Sequence, residues 1–212
     1  MIEVRDSCRR AGRDPGEVTL VAVSKTRSGA EIDAAFAAGQ RHFGENRVQE
    51  ARDKFADAKP PGLVLHLVGH LQKNKARPAA ALFDAVHSAD DAELLRLLDR
   101  HATRPVDVFL EVDLAREPTK SGALPEALPA ILALRPELAR VRIVGLMCIP
   151  PFLDDPERVR PYFRRLREIR DALAGAPALP SLSMGMSHDF EVAIAEGATH
   201  VRIGAAIFGP RP

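Results

Sequence analysis

The sequence predicts an α/β chain closed into a single (β/α)8 TIM barrel. Three observations carry this: eight short runs rich in apolar and β-branched residues, segments of helical period filling most of the gaps, and glycine, proline or polar punctuation after each run. In chain order the strand candidates are 18–24, 41–44, 63–68, 85–87, 106–112, 142–147, 181–184 and 200–203. The first is the unbroken apolar run Val18-Thr19-Leu20-Val21-Ala22-Val23, and the last is the short Val201-containing run before Gly204. Among the helices, 89–102 and 156–174 show apolar residues three and four apart, as core-facing helices should, with Asp90, Asp91 and Asp155 as N-terminal capping residues. Prolines at 60–61, 150–151 and 177–180 fall between elements, where a missing N–H and a fixed φ do least harm. Nothing resembles a repeat or a low-complexity tail, so one domain over residues 1–212 is expected. Eight parallel strands can also form an open doubly wound sheet. A dinucleotide fold of that kind wants GxGxxG after an early strand, whereas the first run here ends in Ser24-Lys25-Thr26-Arg27.

Bulk composition excludes several function classes. At 212 residues the chain is long for an average domain but fits an α/β barrel, and 46% hydrophobic with 28% charged residues is globular composition. A formal net charge of +1 supplies no broad field for nucleic acid or a membrane surface. Cys8 and Cys148 form neither a CxxC nor a zinc spacing, so a reduced cytoplasmic setting is expected. The start Met1-Ile2-Glu3-Val4-Arg5-Asp6 has no apolar core of a signal peptide, and no run approaches the roughly 20 apolar residues that span a bilayer. A soluble, unprocessed protein is expected.

Chemistry concentrates at predicted strand ends, the face on which such a barrel carries its site. Lys25 follows the first strand. A lysine there is commonly a solvated loop charge, but held against a dry barrel mouth it is costly as an ammonium and becomes a competent imine-forming amine. At the ends of strands seven and eight lie Ser183-Met184-Gly185-Met186-Ser187 and Val201-Arg202-Ile203-Gly204-Ala205-Ala206-Ile207-Phe208-Gly209. Each glycine alone could serve a tight turn; two glycine-containing loops with a serine and an arginine favour phosphate. Asn46, after strand two, is either the N-cap of the next helix or a ligand contact, or both.

Other features read as structural. His66 and His70 are four apart, but His66 lies in a strand candidate and Leu67 stands where a zinc HExxH motif needs glutamate, so no metal is expected. Arg158, Arg160, Arg164, Arg165, Arg167 and Arg170 interleave with Glu157, Glu168 and Asp171 on one helix, which reads as a solvated face and not a nucleic-acid surface. Lys73, Lys75 and Arg77 form a smaller basic patch able to attract anions. Met147, Met184 and Met186 read as pocket wall and core, and Cys148 as a small buried hydrophobe.

Six motifs together carry a family resemblance. They are Ala22-Val23-Ser24-Lys25-Thr26; Phe43-Gly44-Glu45-Asn46 with Gln49-Glu50; His66-Leu67-Val68-Gly69 with Leu71-Gln72 and Asn74-Lys75; Gly145-Leu146-Met147; Ser183 to Ser187 with Asp189; and Val201-Arg202-Ile203-Gly204 with Ile207-Phe208-Gly209. In consecutive order over nearly the whole chain, they resemble the pyridoxal phosphate homeostasis protein family. The resemblance implies a fold-type III barrel, similar to the N-terminal domain of alanine racemase, that holds pyridoxal 5'-phosphate (PLP) as a Schiff base on Lys25. It also implies that Ser187, Gly204 and Ala205 lie at the phosphate, Arg202 faces the pyridine nitrogen and Asn46 lies beside the ring. Two departures stand out. Ala205 replaces a common hydroxyl residue, leaving backbone donors to suffice, and the segment before Ala11-Gly12-Arg13-Asp14-Pro15 is short, which points to a truncated start.

The resemblance implies a cytoplasmic, monomeric carrier or regulator of PLP, with PLP-dependent apo-enzymes as partners, and not an enzyme. The alternative is a fold-type III racemase or decarboxylase. Racemisation needs an acid/base group on each face of the carbanion, and one lysine serves one face. The only tyrosine, Tyr162, lies in a predicted outer helix. A barrel enzyme for another phosphorylated metabolite is a weaker alternative, served by the phosphate loops alone.

Overall fold

A computed structural model describes residues 2–55, 59–116, 121–173 and 179–209. Each predicted run is a strand: β1 (Thr19–Val23), β2 (His42–Glu45), β3 (Val64–Leu67), β4 (Ala85–Ala89), β5 (Val106–Glu111), β6 (Val141–Met147), β7 (Ser181–Met186) and β8 (His200–Ile203). All pair in parallel with their neighbours in chain order. Thr19, Leu20, Val21 and Ala22 stand opposite His200, Val201, Arg202 and Ile203, which joins β8 to β1 and closes the barrel. Closure leaves no sheet edge to protect. Outside lie α1 (Ile2–Arg10), α2 (Gly29–Ala37), α3 (Val48–Phe55), α4 (Ala76–Leu82), α5 (Ala92–His101), α6 (Leu128–Leu132), α7 (Arg160–Ala172), α8 (Phe190–Ala195) and the single turn α9 (Ala205–Phe208).

Two helices differ from expectation at their starts. Ala89 belongs to β4, and α5 begins only at Ala92, because Asp91 accepts the Leu94 N–H at 2.7 Å; Asp90 makes no cap. Asp155 accepts from Glu157 N at 2.9 Å and caps a 3-10 turn, Pro156–Val159, that precedes α7. Residue 174 and the first half of the proline cluster at 177–180 lie outside the described residues.

The arginine-rich face of α7 is more than a solvated face. Arg160, Arg164 and Arg167 converge on Glu196, at 2.9, 3.3 and 3.1 Å, and that carboxylate is only 5% exposed. The cluster fastens α7 to the end of α8. Arg165 with Glu168 and Arg170 with Asp171 keep the expected surface pairing. Of the smaller basic patch, Lys73 is engaged by Asp91 and Glu93.

The hydrophobic core is the layer between barrel and helices. Phe43, Leu65, Leu67 and Leu110 on strands meet Phe83, Leu94, Leu95, Leu98, Phe163 and Leu166, all buried, at about 1.5–3 kcal/mol of burial per large side chain. Side chains of the opposite strand parity point inside. There the barrel departs from an all-apolar filling, because His66, His87, Ser183 and Arg202 are buried alongside Val21, Phe109 and Met147. Among the described residues no helix is long and apolar enough to cross a membrane.

Candidate functional site

Strand C-terminal ends converge on one mouth, and there the structure brings all six predicted residues together. Lys25, Asn46, Ser187, Arg202, Gly204 and Ala205 line a single cavity of about 340 Å³, with Val23, Val68, Ile149, Phe152 and Met186 as apolar wall. That mixture of apolar lining and few convergent polar groups is typical of a small-molecule site. A larger groove of about 540 Å³, between Asp113, Glu126 and Arg165, lies elsewhere and gathers none of the six.

Lys25 is half-buried just beyond β1. Asn46 follows β2 and is not a helix cap: α3 starts at Val48, and no hydrogen bond from the Asn46 side chain occurs among the described residues. Its backbone is fixed instead by Gly69. A Cβ on Gly69 would lie 2.3 Å from the Asn46 carbonyl oxygen, so only glycine lets the loop after β3 approach this closely.

The far side of the cavity collects hydrogen-bond donors. Gly204 N donates to Ser187 Oγ at 3.3 Å, and the N–H groups of Ala205 and Ala206, in the first turn of α9, have no acceptor among the described residues. Two open N–H groups beside a serine hydroxyl form a receptor for an anion. The side chain of Ala205 contributes nothing polar.

Arg202 is the most constrained charge in the barrel. It is buried, and burial pushes its guanidinium below the usual arginine range. Nη1 donates to Ser183 Oγ at 2.7 Å and Nη2 to the Cys148 carbonyl at 3.0 Å. No carboxylate lies within ion-pairing distance of it among the described residues; Glu111 and Asp189 act on it only from farther away. A buried cation with unused donors at a cavity wall is suited to an acceptor atom of a ligand. Beside it, burial pushes the Cys148 thiol up to about 12, so Cys148 stays a neutral thiol as its predicted structural role requires.

Sequence reasoning missed what stands behind Arg202. Ser183 Oγ lies 2.7 Å from His87 Nδ1, His87 Nε2 lies 2.9 Å from His66 Nδ1, and His66 Nε2 lies 2.9 Å from His42 Nδ1. A hydrogen-bonded file thus descends the barrel interior from Arg202 toward its opposite mouth. Because a guanidinium only donates, Ser183 Oγ accepts from Arg202, and its own hydrogen has no acceptor other than His87 Nδ1 among the described residues. That choice sets the tautomers: His87 and His66 each carry hydrogen on Nε2 and donate downward. Burial holds both rings well below ordinary histidine values, hence neutral, and holds His200 beside them at about 4. The available signal was strand parity, since His42, His66 and His87 occupy interior positions on three successive strands. Among the described residues no group of three His, Cys, Asp or Glu side chains could hold a metal ion.

Comparison with known proteins agrees with this geometry. Residues 4–212 match the family described as alanine racemase, N-terminal domain. The pyridoxal phosphate homeostasis protein of Aquifex aeolicus is 44% identical over 213 residues, covering 98% of this chain and 93% of that protein. The same-named protein of Pseudomonas aeruginosa is 44% identical over 212 residues, covering 98% and 91%. Among solved structures, PipY of Synechococcus elongatus PCC7942 without PLP superposes with a TM-score of 0.88 at 44% identity, covering 98% of this chain and 99% of that one. Its PLP-bound form gives 0.85 at 42%, covering 99% and 100%. Alanine racemase of Clostridium difficile 630, at 13% identity and a TM-score of 0.73, covers 100% of this chain and 56% of its own, and shares the fold. With its barrel, its strand-end motifs and relatives matched over nearly their whole length, this chain belongs to the pyridoxal phosphate homeostasis protein family, built on the alanine racemase N-terminal domain.

Proposed function

We propose that this chain binds PLP in the strand-end cavity and carries or regulates it, without catalytic turnover. The observation that carries the reading is the convergence in one cavity of Lys25, an anion-receptive cluster at Ser187, Gly204 and Ala205, and a buried arginine with unused donors. The PLP-bound form of PipY and the names of the relatives support the choice of ligand.

In this reading the Nζ amine of Lys25 condenses with the cofactor aldehyde, forming a Schiff base and releasing one water. Ser187 Oγ and the N–H groups of Ala205 and Ala206 bind the phosphate, with Gly204 N holding the serine hydroxyl in place. The missing hydroxyl at 205 leaves Ser187 as the only hydroxyl contact in this set. Asn46 lies beside the ring. Arg202 faces the pyridine nitrogen and can only donate to it, so the ring nitrogen stays unprotonated and its capacity to draw electrons from a substrate carbanion is weak. Exchange and release of the cofactor need no carbanion, which favours carrying over turnover.

A racemase or decarboxylase needs a proton carrier on the second face. Tyr162 is on α7 and does not line the cavity. His188 does line it, but its Nε2 lies 3.1 Å from the carbonyls of both Leu153 and Asp154, which hold that ring by its donor. The proposal extends to a cytoplasmic, monomeric, single-domain protein that supplies PLP-dependent apo-enzymes. The test has two arms. Titration of the PLP-free chain is expected to develop the visible imine band, and Lys25→Ala to abolish it. Incubation with alanine in heavy water is expected to give no α-hydrogen exchange at rates typical of enzymes; rapid exchange lost in His188→Ala would replace the carrier by an enzyme.

A further inference from the structure

The peptide groups on both sides of Lys25 are hydrogen-bonded, and besides a turn bond from Arg27 N to the Ser24 carbonyl at 3.0 Å they are held by side chains of one ion cluster on β2 and α3. The carbonyl of the Ser24–Lys25 peptide accepts Lys54 Nζ at 2.8 Å. The N–H of the Lys25–Thr26 peptide donates to Glu50 Oε1. The Ser24 hydroxyl donates to Glu45 Oε1 at 2.7 Å. Lys54 Nζ closes the cluster, reaching Glu45 Oε1 at 2.9 Å and Glu50 Oε1 at 2.7 Å, so all three of its donors are used.

This cluster is built at some cost. Glu45 is fully buried, and its second oxygen has no partner among the described residues. Thr26 adopts φ +63°, a left-handed conformation that a β-branched residue avoids. A surface lysine on a tolerant loop needs neither. Fixing the peptide on each side of Lys25 fixes its φ and ψ, and hence where its Cβ and amine are delivered.

We propose that Lys54, with Glu50 and Glu45, is a positioning clamp for Lys25, setting the placement of its amine for imine formation and so the residence time of the cofactor. This rests on the assignment of Lys25 as the imine lysine. Loosening the clamp leaves the phosphate receptor intact, so PLP still enters the cavity, but the amine samples positions from which the imine forms less readily and hydrolyses sooner.

The test uses the full chain loaded with PLP, comparing Lys54→Met, Glu50→Ala and Glu50→Gln with Leu98→Ala, a core truncation in α5 that lowers stability away from the mouth. Two quantities are read: the rate of PLP release after dilution, and the pH midpoint of the imine band. Lys54→Met and Glu50→Ala are expected to release PLP at least ~10-fold faster than the parent and to shift the midpoint. Glu50→Gln keeps an acceptor oxygen for Thr26 N and is expected to restore most of the residence time. Leu98→Ala is expected to change neither readout. Release from Lys54→Met and Glu50→Ala no faster than from Leu98→Ala, or equal loss in Glu50→Gln and Glu50→Ala, overturns the clamp. If the parent itself forms no imine at Lys25, the assignment of the lysine fails first, and that result is seen before any variant is compared.

Discussion

Ser183→Ala removes one oxygen from the fully buried centre of the barrel and tests the link between Arg202 and the histidine file. In the parent this oxygen accepts Arg202 Nη1 at 2.7 Å and donates to His87 Nδ1 at 2.7 Å. A hydrogen bond to a charged group contributes about 1.5–3 kcal/mol and a neutral one about 1 kcal/mol. Both former partners are left in a dry interior, which leaves little room for relief by water, while the cavity created is a single atom and adds little. The expected loss is about 3 kcal/mol of folding stability, or roughly 6–12 °C in Tm for a chain of this length. Urea unfolding of Ser183→Ala, His87→Phe and the double variant measures it. Since both substitutions break the same bond, the double variant is expected to lose at least ~1 kcal/mol less than the sum of the singles. A loss below ~1 kcal/mol for Ser183→Ala, or strict additivity in the cycle, would refute the linked network and the tautomers derived from it.

Three further outcomes follow from the same geometry. Ser187→Ala is expected to weaken PLP binding by ~10-fold or more, a bond to the phosphate being worth about 1.5–3 kcal/mol, as read by equilibrium titration; equal affinity removes Ser187 from the phosphate site. Stability is expected to fall in acid. The buried histidines titrate below their unfolded value of 6.5, so the unfolded chain binds more protons, and stability is intact above pH 6.5 and lost as pH falls through about 4, by up to about 3 kcal/mol for His200 alone. Urea midpoints across that range check this, and a midpoint rising toward acid contradicts it. Gly69→Ala sets a methyl group 2.3 Å from the Asn46 carbonyl and is expected to cost about 1–3 kcal/mol and to weaken PLP binding; a variant as stable as the parent shows that the two loops can part freely.

Much of the scaffold was legible in the sequence because strand and helix periods are local signals. Lys25 and the two glycine loops stand out by their positions at the ends of apolar runs and Arg202 by the family resemblance, and closure of the barrel brings them to one mouth. What stayed hidden depends on pairing between distant strands. His42, His66 and His87 are ordinary singletons until β2, β3 and β4 lie side by side, and Ser183 joins them only through β7. Glu45 and Glu50 stand in the motif after β2, but their meeting with Lys54 beneath Lys25 has no local signal, because it depends on α3 folding back on β2. Glu196 carries no local signal of burial, yet arginines from α7 close over it. Asn46 was ambiguous for a different reason: capping depends on where α3 begins, and that start is settled by packing of Val48 and Ala51 into the core.

Lys25 is proposed to hold PLP as a Schiff base. Incubating the chain with PLP, reducing with borohydride and mapping peptides by mass tests it directly, because reduction turns the imine into a stable secondary amine on whichever lysine carries it. One modified peptide containing Lys25 is expected, with modification lost in Lys25→Ala and not transferred to Lys54 or Lys73. Stoichiometric modification of another lysine in the parent, or a PLP-loaded chain with no reducible bond, would contradict it.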